Sequence, residues 1–197
     1  MSPDRGYHHG DLPAALIKAS FELLAERGPQ RFSVAAVARR LGVSSAAPYR
    51  HFPDRDHLLG AVSATAARDL RAAIIGAADA AGPDPAARLA AAAGAYVRYV
   101  VRTGGGFSVI YALELYGLAD DARREHTRAL MTTLLELATA TGTRSHLAAL
   151  LLTEATIAVA HGYASLFTDG FFARNASTVD DVAARATEAA RVLIGRS

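Results

Sequence analysis

An all-helical protein is the fold class this sequence predicts, and three observations predict it. Hydrophobic residues fill 51% of the 197 positions. Along most of the chain they recur at the spacing of one helix face rather than in alternation. Alanine, the best helix former, occupies many of the positions between them. The seven prolines stand where helices can begin or end, Pro48 excepted.

Each element follows from local chemistry. Met1 to Gly10 reads as a short, polar, flexible arm with Tyr7, His8 and His9 near its end. Asp11 caps a first helix with Pro13 in its opening turn, where a missing N–H does no harm. Leu16, Ile17, Phe21, Leu23 and Leu24 supply its apolar face, and Gly28 with Pro29 stops it. Ser33 caps a second helix with Val34, Val37, Ala38 and Leu41 inside. Gly42 supplies a left-handed turn. Ser44 then caps a third helix running to about Phe52, kept short by Pro48 one turn in. Pro53 ends it, and Asp54 caps a long fourth helix with Leu58, Leu59, Val62, Ala66 and Leu70 as its inner stripe.

The later breaks are equally plain. Gly82-Pro83-Asp84-Pro85 separates the fourth helix from a fifth, capped by Asp84, and the glycines 104 to 106 interrupt the pattern after it. A short helix is expected from Phe107 to Tyr116. Another starts at Asp120 or Asp121 and reaches about Ala140, a long apolar one covers about Ser145 to Phe167, and Ser177 or Thr178 caps a last one ending near Ile194. The reading is about nine helices, no strand and no repeat. It divides into an N-terminal unit, residues 1–55, and a larger helical bundle, residues 56–197.

Composition excludes several classes of function. There is no cysteine, so disulfides, thiolate catalysis and cysteine-held zinc are out. No signal peptide is visible, and no apolar run approaches the roughly 20 residues that span a bilayer. A cytoplasmic protein with no membrane partner is expected. The net charge is only +2, so any nucleic-acid binding must rely on local charge.

Residues 33 to 52 carry that local signal. A helix-turn-helix needs two short helices, a tight turn and a buried stripe that fixes their angle; Val37, Leu41, Val43 and Phe52 can form the stripe. The second helix must be lined by small and hydrogen-bonding side chains so that its backbone approaches base edges. Ser44, Ser45, Ala46, Ala47, Tyr49 and His51 meet that need, with Arg39, Arg40, Arg50 and Arg55 around them. Ala46 and Ala47 suit a thymine methyl. An ordinary helical hairpin within a bundle is the plainer reading of the same pattern.

These residues resemble a family. Phe32-Ser33-Val34, Val37-Ala38, Leu41-Gly42-Val43-Ser44, Tyr49-Arg50-His51-Phe52 and Leu58-Leu59 are similar to the N-terminal domain of tetracycline-repressor-type (TetR/AcrR) transcriptional regulators over about residues 10 to 60. Tyr7-His8-His9-Gly10-Asp11-Leu12 and Ala46-Ala47-Pro48-Tyr49 also resemble a subgroup that carries Trp-His-Gly in a late helix. The matching place here reads Ala160-His161-Gly162, and the chain has no tryptophan. The resemblance implies a homodimer that reads a palindromic operator in double-stranded DNA, acts as a repressor and is released by a small-molecule effector. It implies phosphate contacts for Ser33, Tyr49 and Arg55, and places Ser44, Ser45, Ala46 and His51 in the recognition segment. Arg5 of the arm would reach a groove.

In the C-terminal half, Tyr96, Tyr99, Phe107, Tyr111 and Tyr116 gather around the triple glycine and suggest the wall of an effector pocket. Core packing is the alternative for each of them. Glu114, His126, Glu154 and His161 are the polar candidates. Glu154 and His161 lie two helical turns apart, so a buried Glu154 should meet His161, an arginine or a ligand. No cofactor and no metal is expected, since no tight ligand spacing joins Glu154, His161 and His126. Leu147, Leu150, Leu151, Ile157, Ala158, Val182, Ala189, Val192 and Leu193 give the last two helices an apolar face for dimerisation or for an intrachain core.

Other classes fare worse. Gly106-Phe107-Ser108-Val109-Ile110 lacks the second glycine of a nucleophile elbow, and the triple glycine lacks the Lys-Ser or Lys-Thr of a phosphate loop. An enzyme is not expected. An architectural DNA-binding protein would need more positive charge and no large apolar half.

Overall fold

The computed structural model describes residues 11–28 and 31–195. The arm with Arg5, Tyr7, His8 and His9, and the stop at Pro29, lie outside the described residues. Eight α-helices appear among the described residues, with no strand: α1 (Leu12–Arg27), α2 (Val34–Leu41), α3 (Arg55–Ala80), α4 (Pro85–Thr103), α5 (Phe107–Ile110), α6 (Asp121–Ala140), α7 (His146–Thr168) and α8 (Val179–Ile194).

The caps are the side chains that the sequence offers. Asp11, Ser33, Asp54, Asp84, Asp120, Ser145 and Thr178 each accept a backbone N–H in the first turn of the helix they precede. Thr178 and Asp181 complete a reciprocal capping box.

Two expected helices take a different form. The third, from Ser44 to about Phe52, is a run of tight turns with one 3-10 turn at Pro48–Arg50. Ala47 N–H reaches Ser44 O at 3.0 Å, and His51 N–H reaches Pro48 O at 3.0 Å. A regular helix begun at Ser44 would need residue 48 to donate to Ser44 O, and Pro48 has no N–H to give. Ser44 therefore caps no α-helix. The helix expected over Phe107 to Tyr116 also breaks, into α5 and a 3-10 turn at Leu113–Leu115.

Buried side chains form two clusters that share α3. Leu58, Leu59 and Val62 at its start pack with Leu16, Leu23, Leu24, Phe32, Val34 and Val37 of the N-terminal elements. Ala66, Ala67, Leu70 and Ile74 further along pack into the bundle of α4, α6, α7 and α8. The segment after α4 serves both: Val109, Ala112 and Leu115 enter the smaller cluster and Ile110 the larger. Full burial of a Leu or Val side chain contributes about 1.5–3 kcal/mol, so both clusters fix the helices that carry them.

Close helix approaches tie the parts together. A Cβ at Gly94 of α4 would strike Thr187 and the carbonyl of Ala183 on α8. A Cβ at Gly104, φ 66°, would lie 2.6 Å from the backbone nitrogen of Ala25 at the end of α1. The 23-residue α7 is long and apolar enough, by length and composition, to cross a membrane. That corrects the reading that no run approaches such a length, because Glu154 and His161 break the run by eye without lowering its average much. Its inward side is small, with Ala149, Thr153, Thr156, Ala160 and Ala164 buried. The hydroxyls of Thr153 and Thr156 donate to Ala149 O and Leu152 O, so neither is left bare in the interior.

Candidate nucleic-acid interface and effector cavity

The turn between α2 and the recognition segment is fixed by Gly42, φ 69°, whose N–H returns to Ala38 O and Arg39 O. Val43 N–H also returns to Ala38 O, at 3.1 Å. Pro48 is the buried anchor of the segment and packs it on α1. Phe52 joins the small cluster from its edge.

With the segment pinned at Pro48, its other side chains, Ala47 excepted, are exposed. Ser44, Ser45, Ala46, Arg50 and His51 are exposed, and Tyr49 is 52% exposed. Ala47 is half-buried. Ser33 is exposed beside them, and its hydroxyl accepts from Ala36 N–H at 3.2 Å. Small residues along Ser44 to Ala47 leave the backbone open to approach, while Arg50 supplies a cation and Tyr49 and His51 two polar tips. The exposed segment is assembled from turns rather than from one face of a regular helix.

The surrounding cations differ in freedom. Arg40 is held by Glu26, with Nη1 to Oε1 at 2.8 Å, and by Glu22 at 3.3 Å. That pairing holds the Glu26 carboxyl below its ordinary range. Arg39 and Arg50 make no ion pair among the described residues. Arg55 is engaged: it reaches Asp56 at 3.1 Å, Glu114 at 3.3 Å and the carbonyl of Phe32 at 3.5 Å, and its guanidinium lies over the Phe32 ring. Asp54 accepts from both the backbone and the ring of His57, which lowers its pKa.

In the bundle, part of the expected aromatic group does come together. The rings of Tyr96 and Phe107 stack at 5.1 Å, and Phe107 meets Tyr111 at 5.5 Å. The Tyr96 hydroxyl accepts the Phe107 N–H at 3.2 Å and shares a 2.9 Å hydrogen bond with His161 Nδ1. Burial pushes the Tyr96 and Tyr111 phenols up to about 12. The same cause, followed by the charge of Asp69, raises that of Tyr99 further. All three are therefore neutral hydrogen-bonding groups at ordinary pH.

Tyr96 and Phe107 close one side of a small cavity whose other walls include Ile74, Ala93, Leu134 and Ile157. Its free volume is about 10 Å³, enough for about one water. A ligand must therefore part these side chains. Tyr99 lies buried toward α1, its ring edge against Gly105. The remaining candidates stand apart from the cavity. Tyr116 is 68% exposed, Glu114 pairs with Arg55, and Glu154 is exposed. A buried Glu154 meeting His161 is not found: Glu154 is exposed, while His161, on the same side of α7, reaches Tyr96 of α4. His126 is half-buried on α6, and no group of three potential metal ligands occurs among the described residues.

The apolar face expected on the last two helices divides. Val182 is fully buried and belongs to the core. Leu147, Leu151 and Val192 are exposed, as is Ala158. Leu193 is 38% exposed. Leu150, Ile157 and Ala189 are half-buried. Phe171, exposed just beyond α7, had no periodic pattern to reveal it.

Two cross-links escaped the sequence. Ser63 of α3 donates to Ile110 O at the end of α5, at 2.8 Å; its only signal was a polar residue beside Val62 in a buried stripe. Buried Arg123 of α6 donates to Leu115 O at 2.7 Å. Together with Arg55 and Glu114, they hold residues 107–116 between the cavity and the start of α3.

Comparison with known proteins yields consistent likenesses. The sequence model of the family described as bacterial regulatory proteins, tetR family, matches residues 16–62. That of the tetracyclin repressor-like C-terminal domain matches residues 89–190. An HTH-type transcriptional repressor of Mycobacterium tuberculosis is 40% identical over 52 residues, which are 26% of this chain and 28% of the relative. The chain thus spans little more than a quarter of the length of the curated relatives it matches. A solved protein of unknown function from Rhodococcus sp. RHA1 superposes over 95% of this chain and 97% of its own, with TM-score 0.72 and 28% identity. A tetR-family regulatory protein from Rhodococcus RHA1 covers 92% and 96%, with TM-score 0.66 and 20% identity.

Proposed function

Because the chain belongs to the tetR family of bacterial regulatory proteins, we propose that it is a DNA-binding transcriptional regulator, acting as a cytoplasmic repressor. The observation that carries this reading is the exposed segment Ser44 to His51, turned outward on the buried Pro48. Residues 1–55 form the DNA-binding unit in this reading, and residues 56–197 the effector and dimerisation bundle. Ser33, Tyr49 and Arg55 hold the phosphate backbone with Arg50 beside them, while Ser44, Ser45, Ala46, Ala47 and His51 meet base edges. Two copies associate through α7 and α8, where Leu147, Leu151 and Val192 are exposed, and bind a palindrome as a two-fold dimer.

The effector site is the small cavity behind Tyr96 and Phe107. A small, largely apolar molecule enters by parting the two rings, with the Tyr96 hydroxyl and His161 as its polar anchors. α5 is only four residues long and follows three glycines, so it yields more easily than the long helices. Its displacement reaches α3 through Ser63 and changes the spacing of the two recognition segments. The ligand need only bind one spacing better than the other.

The test is selection from a pool of random duplexes. Enrichment of one palindromic sequence, with affinity well above that for unselected DNA, is the expected result. Equal affinity for all duplexes would favour an architectural role instead.

A further inference from the structure

We propose that Glu114 is an internal competitor for DNA, its carboxylate holding the Arg55 guanidinium that otherwise takes a backbone phosphate. The inference rests on the reading of Arg55 as a phosphate contact. Arg55 opens α3, directly after the recognition segment, and its side chain is 37% exposed. Both terminal nitrogens, Nη1 and Nη2, lie 3.3 Å from the same Glu114 oxygen. Charge-assisted bonds of full strength run nearer 2.7–2.9 Å, so the grip is loose. Glu114 is itself 42% exposed, and such pairs contribute little in water. A phosphate presents the same paired oxygens as a carboxylate and carries a full charge, so it can displace Glu114 without rearranging the fold.

The position of Glu114 gives the contact its regulatory meaning. It sits in the 3-10 turn Leu113–Leu115, a few residues beyond Phe107 at the cavity wall. Arg123 of α6 fixes that turn through Leu115 O, and Ser63 of α3 fixes the end of α5 through Ile110 O. Glu114 is thus carried by the same segment that closes the cavity. Asp56 also touches Arg55, but it is the next residue in the chain. It moves with Arg55 and cannot report on the bundle.

A double-mutant cycle on the full-length chain tests the proposal, with a labelled random-sequence duplex and no effector. Affinity is measured across a salt series for the wild type, Glu114→Gln, Arg55→Ala and the double variant. Glu114→Gln should tighten binding about 1.5- to 5-fold per protomer and steepen the fall of log affinity with log salt by up to about one unit. Arg55→Ala should weaken binding and flatten that slope. In the Arg55→Ala background the gain from Glu114→Gln should vanish. An equal gain in both backgrounds would mean that Glu114 acts only as a distant negative charge, and no gain in either would mean that it does not compete; both results overturn the proposal while leaving the regulator reading intact. If Arg55→Ala changes neither affinity nor slope, the phosphate reading of Arg55 fails first and takes the proposal with it. Thermal melting of each variant confirms that all four are folded.

Discussion

Replacing Gly104 with alanine attacks the joint between the N-terminal elements and the bundle. Gly104 ends α4 at φ 66°, a left-handed conformation that costs a residue with a Cβ about 1–2 kcal/mol. The new Cβ would also lie 2.6 Å from Ala25 N, 2.8 Å from Leu24 C and 2.9 Å from Ala25 Cα. All three are backbone atoms at the end of α1, so no side-chain rotation relieves the clash. Ordinary contact begins near 3.4 Å, and the helix ends must separate by most of an ångström. Overpacking of this kind adds about 1–3 kcal/mol, for a total of about 2–5 kcal/mol. Gly142→Ala is the matched control, since Gly142 has φ 85° with nothing within 4 Å of the added atom. It should lose the backbone part alone, about 1–2 kcal/mol. Urea unfolding followed by circular dichroism, at one fixed protein concentration, compares the two. Equal losses would refute the claim that α4 and α1 meet backbone to backbone. Because α1 carries the recognition segment on its flank, Gly104→Ala should also weaken DNA binding more than Gly142→Ala does.

Three further outcomes follow from named contacts. Ser33→Ala should destabilise the fold by about 1 kcal/mol through the lost cap of α2, whereas Ser44→Ala should leave the urea midpoint unchanged and lower only DNA affinity. Tyr96 and Tyr111 keep their protons up to about pH 12 when folded and lose them near pH 10 when unfolded. The folded state therefore binds more protons between those values, and unfolding measured against pH should show stability falling as pH rises from 10 to 12, by up to about 1.4 kcal/mol per pH unit for each tyrosine. Leu151→Glu places a charge on the exposed part of α7 and should convert a dimer to monomers in analytical ultracentrifugation, with helix content unchanged.

The helix boundaries were legible because capping is local. Asp11, Ser33, Asp54, Asp84 and Ser145 each announce a start by residue type alone, and each caps the expected helix. The exposure of the segment from Ser44 to His51 was legible, but its form was not. Its serine and small residues advertised an approachable surface, while the conflict between Pro48 and Ser44 O needed a hydrogen-bond count along the backbone. The polar partners were least legible. Arg55 and Glu114 stand 59 residues apart, and no periodicity links a helix start to a 3-10 turn in another part of the chain. Glu154 and His161 share a helix face in sequence and both are exposed, but only the packing of α7 against α4 brings His161 to Tyr96. Of the aromatics expected near the glycines, Tyr96 and Phe107 line the small cavity. Tyr116 follows the break in the expected Phe107–Tyr116 helix and is exposed.

In the proposed reading, the outward segment from Ser44 to His51 grips DNA. Fluorescence anisotropy of Tyr49→Ala and His51→Ala against a selected palindrome and a scrambled duplex tests that grip. Tyr49→Ala should lose affinity for both duplexes by a similar factor, and His51→Ala should narrow the gap between them. Unchanged affinity for both duplexes in both variants would place the contact surface elsewhere on the molecule.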